Sequence, residues 1–267
     1  MVRSLLKRGL SVVAVTRNSS ALRELQRNVA CVEMDIAGPP LKCYERMGSP
    51  DVLIHLAWDG LPNYMSLHHF ETELIRQYSF LKSMIENGLT SLVVAGTCFE
   101  YGMQSGELSE SSVTNPTNPY GYAKDALRQQ LEYLKMKKTF QLSWARLFYV
   151  YGEDQPGRSL YPLLRNAVLQ GDETFHMSAG DQIRDYLPVE DVANQLVQLA
   201  AMRADTGPIN VCSGKPTSVR SLVERWLKQN NWDIELKLGY YPYPDYEPME
   251  FWGNPEQIQF IMKRKGA

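Results

Sequence analysis

Short apolar runs alternate with longer amphipathic stretches along this chain of 267 residues, the pattern of a parallel sheet with crossover helices. Six runs read as strands: Ser11–Thr16, Ala30–Met34, Val52–Leu56, Leu92–Ala95, Leu142–Leu147 and Ile209–Cys212. They are rich in Val, Ile and Leu without clean alternation, as strands covered on both faces should be. A helix is expected from about Ser66 to Asn87, on the spacing of Leu67, Phe70, Leu74, Leu81 and Ile85. Another begins near Tyr120 and carries Leu127, Leu131 and Leu134 on one stripe, and Val189 to Met202 has similar periodicity. After Gly152 the pattern loosens. The expected architecture is α/β: a doubly wound parallel sheet over 1–152 and 183–213, with a smaller, less regular region over 153–182 and 214–267. In open parallel sheets ligands bind at the carboxyl ends of the strands, and the smaller region would roof that edge.

Composition narrows the function. At 44% hydrophobic and 22% charged, the chain can bury a sizeable core and is not of disordered type. Net charge is −2, and basic runs occur only at Lys135–Lys138 and Lys263–Lys265, so no nucleic-acid partner is expected. The start is basic, but its longest apolar run, "VVAV", is too short for a signal core. No stretch approaches the length of a membrane span. Cys31, Cys43, Cys98 and Cys212 form no CxxC or zinc spacing, and His55, His68, His69 and His176 show no ligand spacing. The expectation is no metal and a reducing, cytoplasmic compartment.

Tyr-x-x-x-Lys occurs three times, at Tyr78–Lys82, Tyr120–Lys124 and Tyr133–Lys137, so spacing alone selects none. Context does. Tyr120 and Lys124 open a helix and extend its leucine stripe, following a strand that ends in "AGTCFEYG" with Thr97 just past its end. In a parallel sheet that strand end and the next helix start share one edge, where hydroxyl, phenol and ammonium can converge. An ammonium beside a phenol favours the phenolate and brings its pKa toward the working range.

With these residues the chain resembles the extended short-chain dehydrogenase/reductase family, in its nucleotide-sugar epimerase, dehydratase and reductase branch. "DVLIHLAW" looks like the family's fourth strand, "AGTCFEYG" its Ser/Thr-x-x-x-Tyr-Gly segment and "NPYGYAK" its Tyr-x-x-x-Lys. "ARLFYVYG" matches Arg-x-x-Asn-Val-Tyr-Gly with Tyr149 where Asn is usual, "DQIRDYLPVEDVA" the Gln-x-Arg-Asp segment, and "INVCSG" a late strand. The resemblance implies a Rossmann-like fold and hydride exchange between a nicotinamide cofactor and a nucleoside-diphosphate sugar. It implies catalytic roles for Thr97, Tyr120 and Lys124, and a cofactor site of Arg17, Asp35, Ile36, Leu56 and Ala57 together with Tyr120 and Lys124. It implies substrate contacts from Thr97, Tyr149 and Arg184, and a homodimer built from helices at about 66–87 and 120–138.

Departures from the family pattern sort the chemistry. Cys98 and Phe99 stand where dehydratases carry Asp-Glu, which discards 4,6-dehydration. Thr16 and Arg17 replace the acidic residue of NAD-preferring members. A cation with hydroxyl neighbours suits a 2′-phosphate; the alternative is a solvated loop arginine. The expected cofactor is therefore NADP(H), with NAD(H) possible, and the expected reaction is reduction of a 4-keto-6-deoxyhexose nucleotide, with 4-epimerisation second. Arg184 either meets the nucleotide or pairs with Asp185 or Asp191. The family's glycine-rich first turn is absent, and Met1 aligns inside the first helix. The chain as written is expected to be poorly soluble and weak in NADPH binding. A non-catalytic remnant that only binds sugar nucleotides or partner chains is the alternative of another class.

Overall fold

The computed structural model describes residues 1–22, 29–38, 42–153, 155, 157 and 159–263; the end of the Lys263–Lys265 run and three positions in 153–182 lie outside them. Six strands carry the frame: β1 (Val13–Thr16), β2 (Ala30–Glu33), β3 (Val52–His55), β4 (Ser91–Thr97), β5 (Gln141–Leu147) and β6 (Gly207–Val211). Each falls on a run expected from the sequence. β3, β4, β5 and β6 form one parallel sheet in the order β6-β5-β4-β3, while β1 and β2 pair in parallel as a separate two-stranded sheet. The layer is thus divided between β1 and β3.

Burial follows the division. Every residue of β4 is buried, whereas β1 and β2 contain no buried position. On one face of the larger sheet, Leu92 and Val94 pack with α2 (Leu74–Glu86) and α3 (Pro119–Lys135) through Phe80, Leu81, Met84, Leu127 and Leu131. Val93 points to the other face, as strand alternation requires. There it meets residues of α5 (Val189–Met202) and α7 (Glu256–Lys263). Helices on both faces make the sheet doubly wound. A five-residue helix, α1 (Val2–Leu6), lies against α5.

The expected helix at about 66–87 is compound. It opens as a π-helical turn, His69–Glu73, before α2 begins. Such turns put one extra residue into the ladder and commonly mark functional positions. The smaller region has its own cluster, in which α4 (Leu160–Gln170) and α6 (Val219–Asn230) meet around Leu164, Leu222 and Trp226. The 214–267 segment divides: α6 belongs to this cluster, but α7 returns to pack on α5 and β6.

Candidate active site

The carboxyl end of β4 leads into a 3-10 turn, Cys98–Tyr101, capped reciprocally. Thr97 Oγ1 accepts from the Phe99 N–H at 3.3 Å, and Glu100 Oε1 accepts from the Thr97 N–H at 2.9 Å. Helix α3 starts against this turn. Its N-cap Asn118 accepts from the Gly121 N–H at 2.8 Å, with Pro119 in the first helical position, where a missing N–H costs nothing. Gly121 permits the approach, because a Cβ there would lie 2.6 Å from the Phe99 carbonyl oxygen.

Turn and helix together bring Thr97, Tyr120 and Lys124 to one place. Their exposures are 6%, 8% and 2%, whereas Tyr133 of the rival pair is 69% exposed. The Thr97 side chain acts on the Tyr120 phenol, opposing its upward shift. Lys124 Nζ donates to the Ala95 carbonyl at 2.9 Å and lies 3.9 Å from the centre of the Trp58 ring. Burial pushes the Tyr120 phenol well up, Tyr64, Glu100 and Cys98 push it further, and the Thr97 side chain draws it back. Burial also lowers the Lys124 ammonium to about 7, against the pull of Glu100 and Glu73.

Beside the trio, at the carboxyl ends of β1, β2 and β3, lies a groove of ≈ 430 Å³. Arg17, Asp35, Ile36, Leu56 and Ala57 all line it, as do Thr16 and Trp58. Five residues named from sequence for one ligand thus come together from three strand ends. The groove has the position and the mixed lining that suit a dinucleotide, with Arg17 across its mouth 3.6 Å from Asp59. Thr97, Tyr120 and Lys124 are not on its wall. Trp58 stands between, its ring over the Lys124 ammonium and its edge toward the Tyr120 ring.

Arg184 is 1% exposed. Its guanidinium binds Glu247 at 2.9 Å and the carbonyls of Ile183 and Met249 at 2.9 and 3.1 Å. The carboxylate partner is therefore Glu247, and the ion pair with Asp185 or Asp191 does not form: Asp185 instead accepts from Ser213 and Gly214. The Tyr149 ring centre lies 5.7 Å from the Arg184 guanidinium, and its ring meets Phe99 edge-on and Tyr186 and Phe251 at a tilt. Its buried hydroxyl has no hydrogen-bond partner among the described residues.

Sequence reasoning missed the groups that surround the trio. Three of the four histidines gather near it. His69, on the π-helical turn, accepts from Trp58 Nε1 at 3.1 Å and packs against Tyr120 with ring centres 5.3 Å apart. His55 Nε2 meets Gln77 Oε1 at 2.5 Å, and Gln77 donates to Glu73 at 2.5 Å. Burial and nearby Lys124 lower His55 to about 4, so it is neutral at pH 7. These histidines stand on β3 and at the π-helical turn, as polar neighbours of the trio. Among the described residues no group of His, Cys, Asp or Glu could hold a metal ion, and no helix is long and apolar enough to cross a membrane.

The NAD dependent epimerase/dehydratase family model matches residues 1–212. A dTDP-6-deoxy-L-talose 4-dehydrogenase (NAD(+)) of Aggregatibacter actinomycetemcomitans is 29% identical over 255 residues, covering 95% of this chain and 94% of its own. A UDP-glucose 4-epimerase of Halalkalibacterium halodurans is 28% identical, covering 80% of this chain and 70% of its own. The fold matches a UDP-glucose-4-epimerase from Stenotrophomonas maltophila with bound NAD and formylated UDP-arabinopyranose. There the TM-score is 0.85 at 19% identity, over 99% of this chain and 88% of that one. That likeness shows the fold, and with the family model matching residues 1–212 the chain belongs to the NAD dependent epimerase/dehydratase family, an enzyme family of nucleotide-sugar oxidoreductases and epimerases.

Proposed function

We propose that this protein is a nicotinamide-dependent oxidoreductase that reduces the 4-keto group of a 6-deoxyhexose nucleotide, with Tyr120 as proton donor. The convergence of Thr97, Tyr120 and Lys124 on one sheet edge carries this reading, and the similarity to a 6-deoxytalose 4-dehydrogenase supports the sugar. A bound nicotinamide supplies the hydride to the carbonyl carbon. Tyr120 gives its proton to the carbonyl oxygen as the C–O double bond becomes single. Thr97 hydrogen-bonds the same oxygen, and Lys124, 5.8 Å from the Tyr120 ring centre, in its charged form favours the phenolate left behind until solvent reprotonates it. Arg184 and Tyr149, with guanidinium and ring centre 5.7 Å apart, are the residues proposed to meet the nucleotide's phosphates or ribose and the sugar.

Arg17 beside Thr16 supports NADP(H) as the preferred cofactor, because a guanidinium at the adenosine end suits a 2′-phosphate. The free thiols Cys31, Cys43, Cys98 and Cys212 accord with the cytoplasm. A homodimer through α2 and α3 is supported by exposed Ile75, Tyr122 and Tyr133 on those helices; sedimentation showing only monomer at micromolar concentration would refute it.

The test presents the protein with dTDP- and GDP-4-keto-6-deoxyhexoses and NADPH or NADH, following loss of absorbance at 340 nm. Stoichiometric oxidation of the reduced cofactor supports reduction. Conversion of UDP-glucose to its 4-epimer without net cofactor change supports the second reading, which the likeness to the H. halodurans epimerase favours. Turnover of neither by a protein that binds cofactor would overturn both.

A further inference from the structure

We propose that Glu100 is a positioning residue that sets the direction of the Thr97 hydroxyl; this rests on the reading of Thr97 given above. Glu100 is fully buried, at 0% exposure. A carboxylate there has no water, so its oxygens must be met by donors of the protein. Three residues supply them. Oε1 accepts from the Thr97 N–H at 2.9 Å and from Trp144 Nε1 at 2.9 Å, and Oε2 accepts from Trp144 Nε1 at 3.1 Å and from Arg146 Nε at 2.8 Å. Two of those donors come from β5, next to β4, so the carboxylate fastens the β4 turn to the neighbouring strand.

Glycine at 96 makes room for this. A Cβ at Gly96 would collide with Trp144 Nε1 and Glu100 Oε1. The Arg146 guanidinium also lies 4.6 Å from the centre of the Tyr101 ring, which closes the far side. No atom of the assembly touches the groove, and none of Glu100, Trp144 or Arg146 lines it.

The consequence reaches the hydroxyl through the reciprocal cap. With its N–H held by Glu100, Thr97 takes an extended backbone at φ −148°, ψ 148°, and its Oγ1 accepts from the Phe99 N–H. A hydroxyl has one proton and two lone pairs. Because the backbone N–H occupies one lone pair, the proton turns away from the turn, toward Tyr120 and the site of the substrate oxygen. Glu100 thereby makes Thr97 a donor at the place where negative charge develops. Its own carboxyl is raised by burial, with Arg146 opposing that shift.

A double-mutant cycle on kcat at saturating substrate and cofactor tests this. Thr97→Ala alone should lower kcat on the order of a hundredfold, the scale for one aimed donor. Glu100→Gln should lower kcat about tenfold or more, with cofactor Kd and substrate KM within about threefold. In the Thr97→Ala background Glu100→Gln should have no further effect, because residues acting through one group are not additive. An equal loss in both backgrounds, or a loss confined to KM, would overturn the proposal. If Thr97→Ala itself leaves kcat intact, the reading of Thr97 fails instead. Should Glu100→Gln not fold, Trp144→Phe removes one donor to the same carboxylate, and its smaller kcat loss should likewise vanish without Thr97.

Discussion

The two walls of the active site are built in opposite ways. On one side, β4 is buried throughout, and its capped turn and the start of α3 bury Thr97, Glu100, Tyr120 and Lys124 and are tied by Glu100, Asn118 and the close approach at Gly121. On the other, β1 and β2 stand apart from β3, and the groove between them is crossed at its mouth by a solvent-exposed Arg17–Asp59 pair. Surface pairs of this kind contribute little to stability. The difference matches what each side must do. Proton transfer needs atoms placed to within a few tenths of an ångström, whereas admitting a long dinucleotide needs a surface that can part.

The sharpest way to break the contrast is at the buried wall. Tyr120→Phe should cost roughly 10³-fold or more in turnover while cofactor affinity stays within a few-fold, since proton transfer alone is worth about 10²–10⁴. Full activity in a stopped-flow assay of that variant would remove Tyr120 from the reaction.

Trp58 joins the walls, its ring centre 3.9 Å from the buried Lys124 ammonium, and a cofactor contact at Lys124 as proposed above would require the indole to move. Trp58→Ala should expose Lys124 to acetylation, read by mass spectrometry, and tighten NAD(P)H binding up to about tenfold by removing the cost of opening. Unchanged labelling would show that the ring does not shield the lysine. At the open wall the effect is smaller. Arg17→Ala should weaken NADPH several-fold, roughly one charge-assisted hydrogen bond, and barely touch NADH. Equal losses for both, measured by fluorescence titration, would remove the 2′-phosphate role.

The smallest expected effect is on stability against pH. His55 is held to about 4 in the folded chain against 6.5 when free, so between those values the unfolded chain binds more protons. Stability should therefore rise as pH climbs from about 4 to about 6.5 and gain nothing from this group above that. His55→Gln should flatten that part of a plot of Tm against pH.

Much of this was legible in the sequence, and for physical reasons. The six strand runs are apolar on both faces, which leaves a strong local signal. Tyr120, Lys124, Leu127, Leu131 and Leu134 share one buried stripe, as helical spacing requires. Arg17, Asp35, Ile36, Leu56 and Ala57 could be named because strand ends in a parallel sheet meet at one edge. Glu100 could not. Its partners Trp144 and Arg146 lie more than forty residues away on β5, and a glutamate beside apolar residues reads locally as exposed. The π-helical turn at His69–Glu73 was hidden for the same reason: hydrophobic spacing over 66–87 fits an uninterrupted helix, and its His69 meets Trp58 and Tyr120, which are distant in sequence.

The division of the strand layer carries a consequence for how the molecule opens. Among the described residues β1 and β2 form ladder pairs only with each other, and their unit is tied to the rest through the Arg17–Asp59 pair, side-chain packing and the segment after α1, where Arg8 reaches Gln198 at 2.8 Å. A pair of strands without further ladder partners is marginal by itself. It should therefore unfold as a unit of its own, well before the sheet of β3 to β6 yields. Amide hydrogen exchange should separate them: protons of Val13–Thr16 and Ala30–Glu33 lost early and together, those of Leu92–Ala95 and Leu142–Ala145 only on global unfolding. Cofactor spanning the groove should slow the first set and leave the second unchanged.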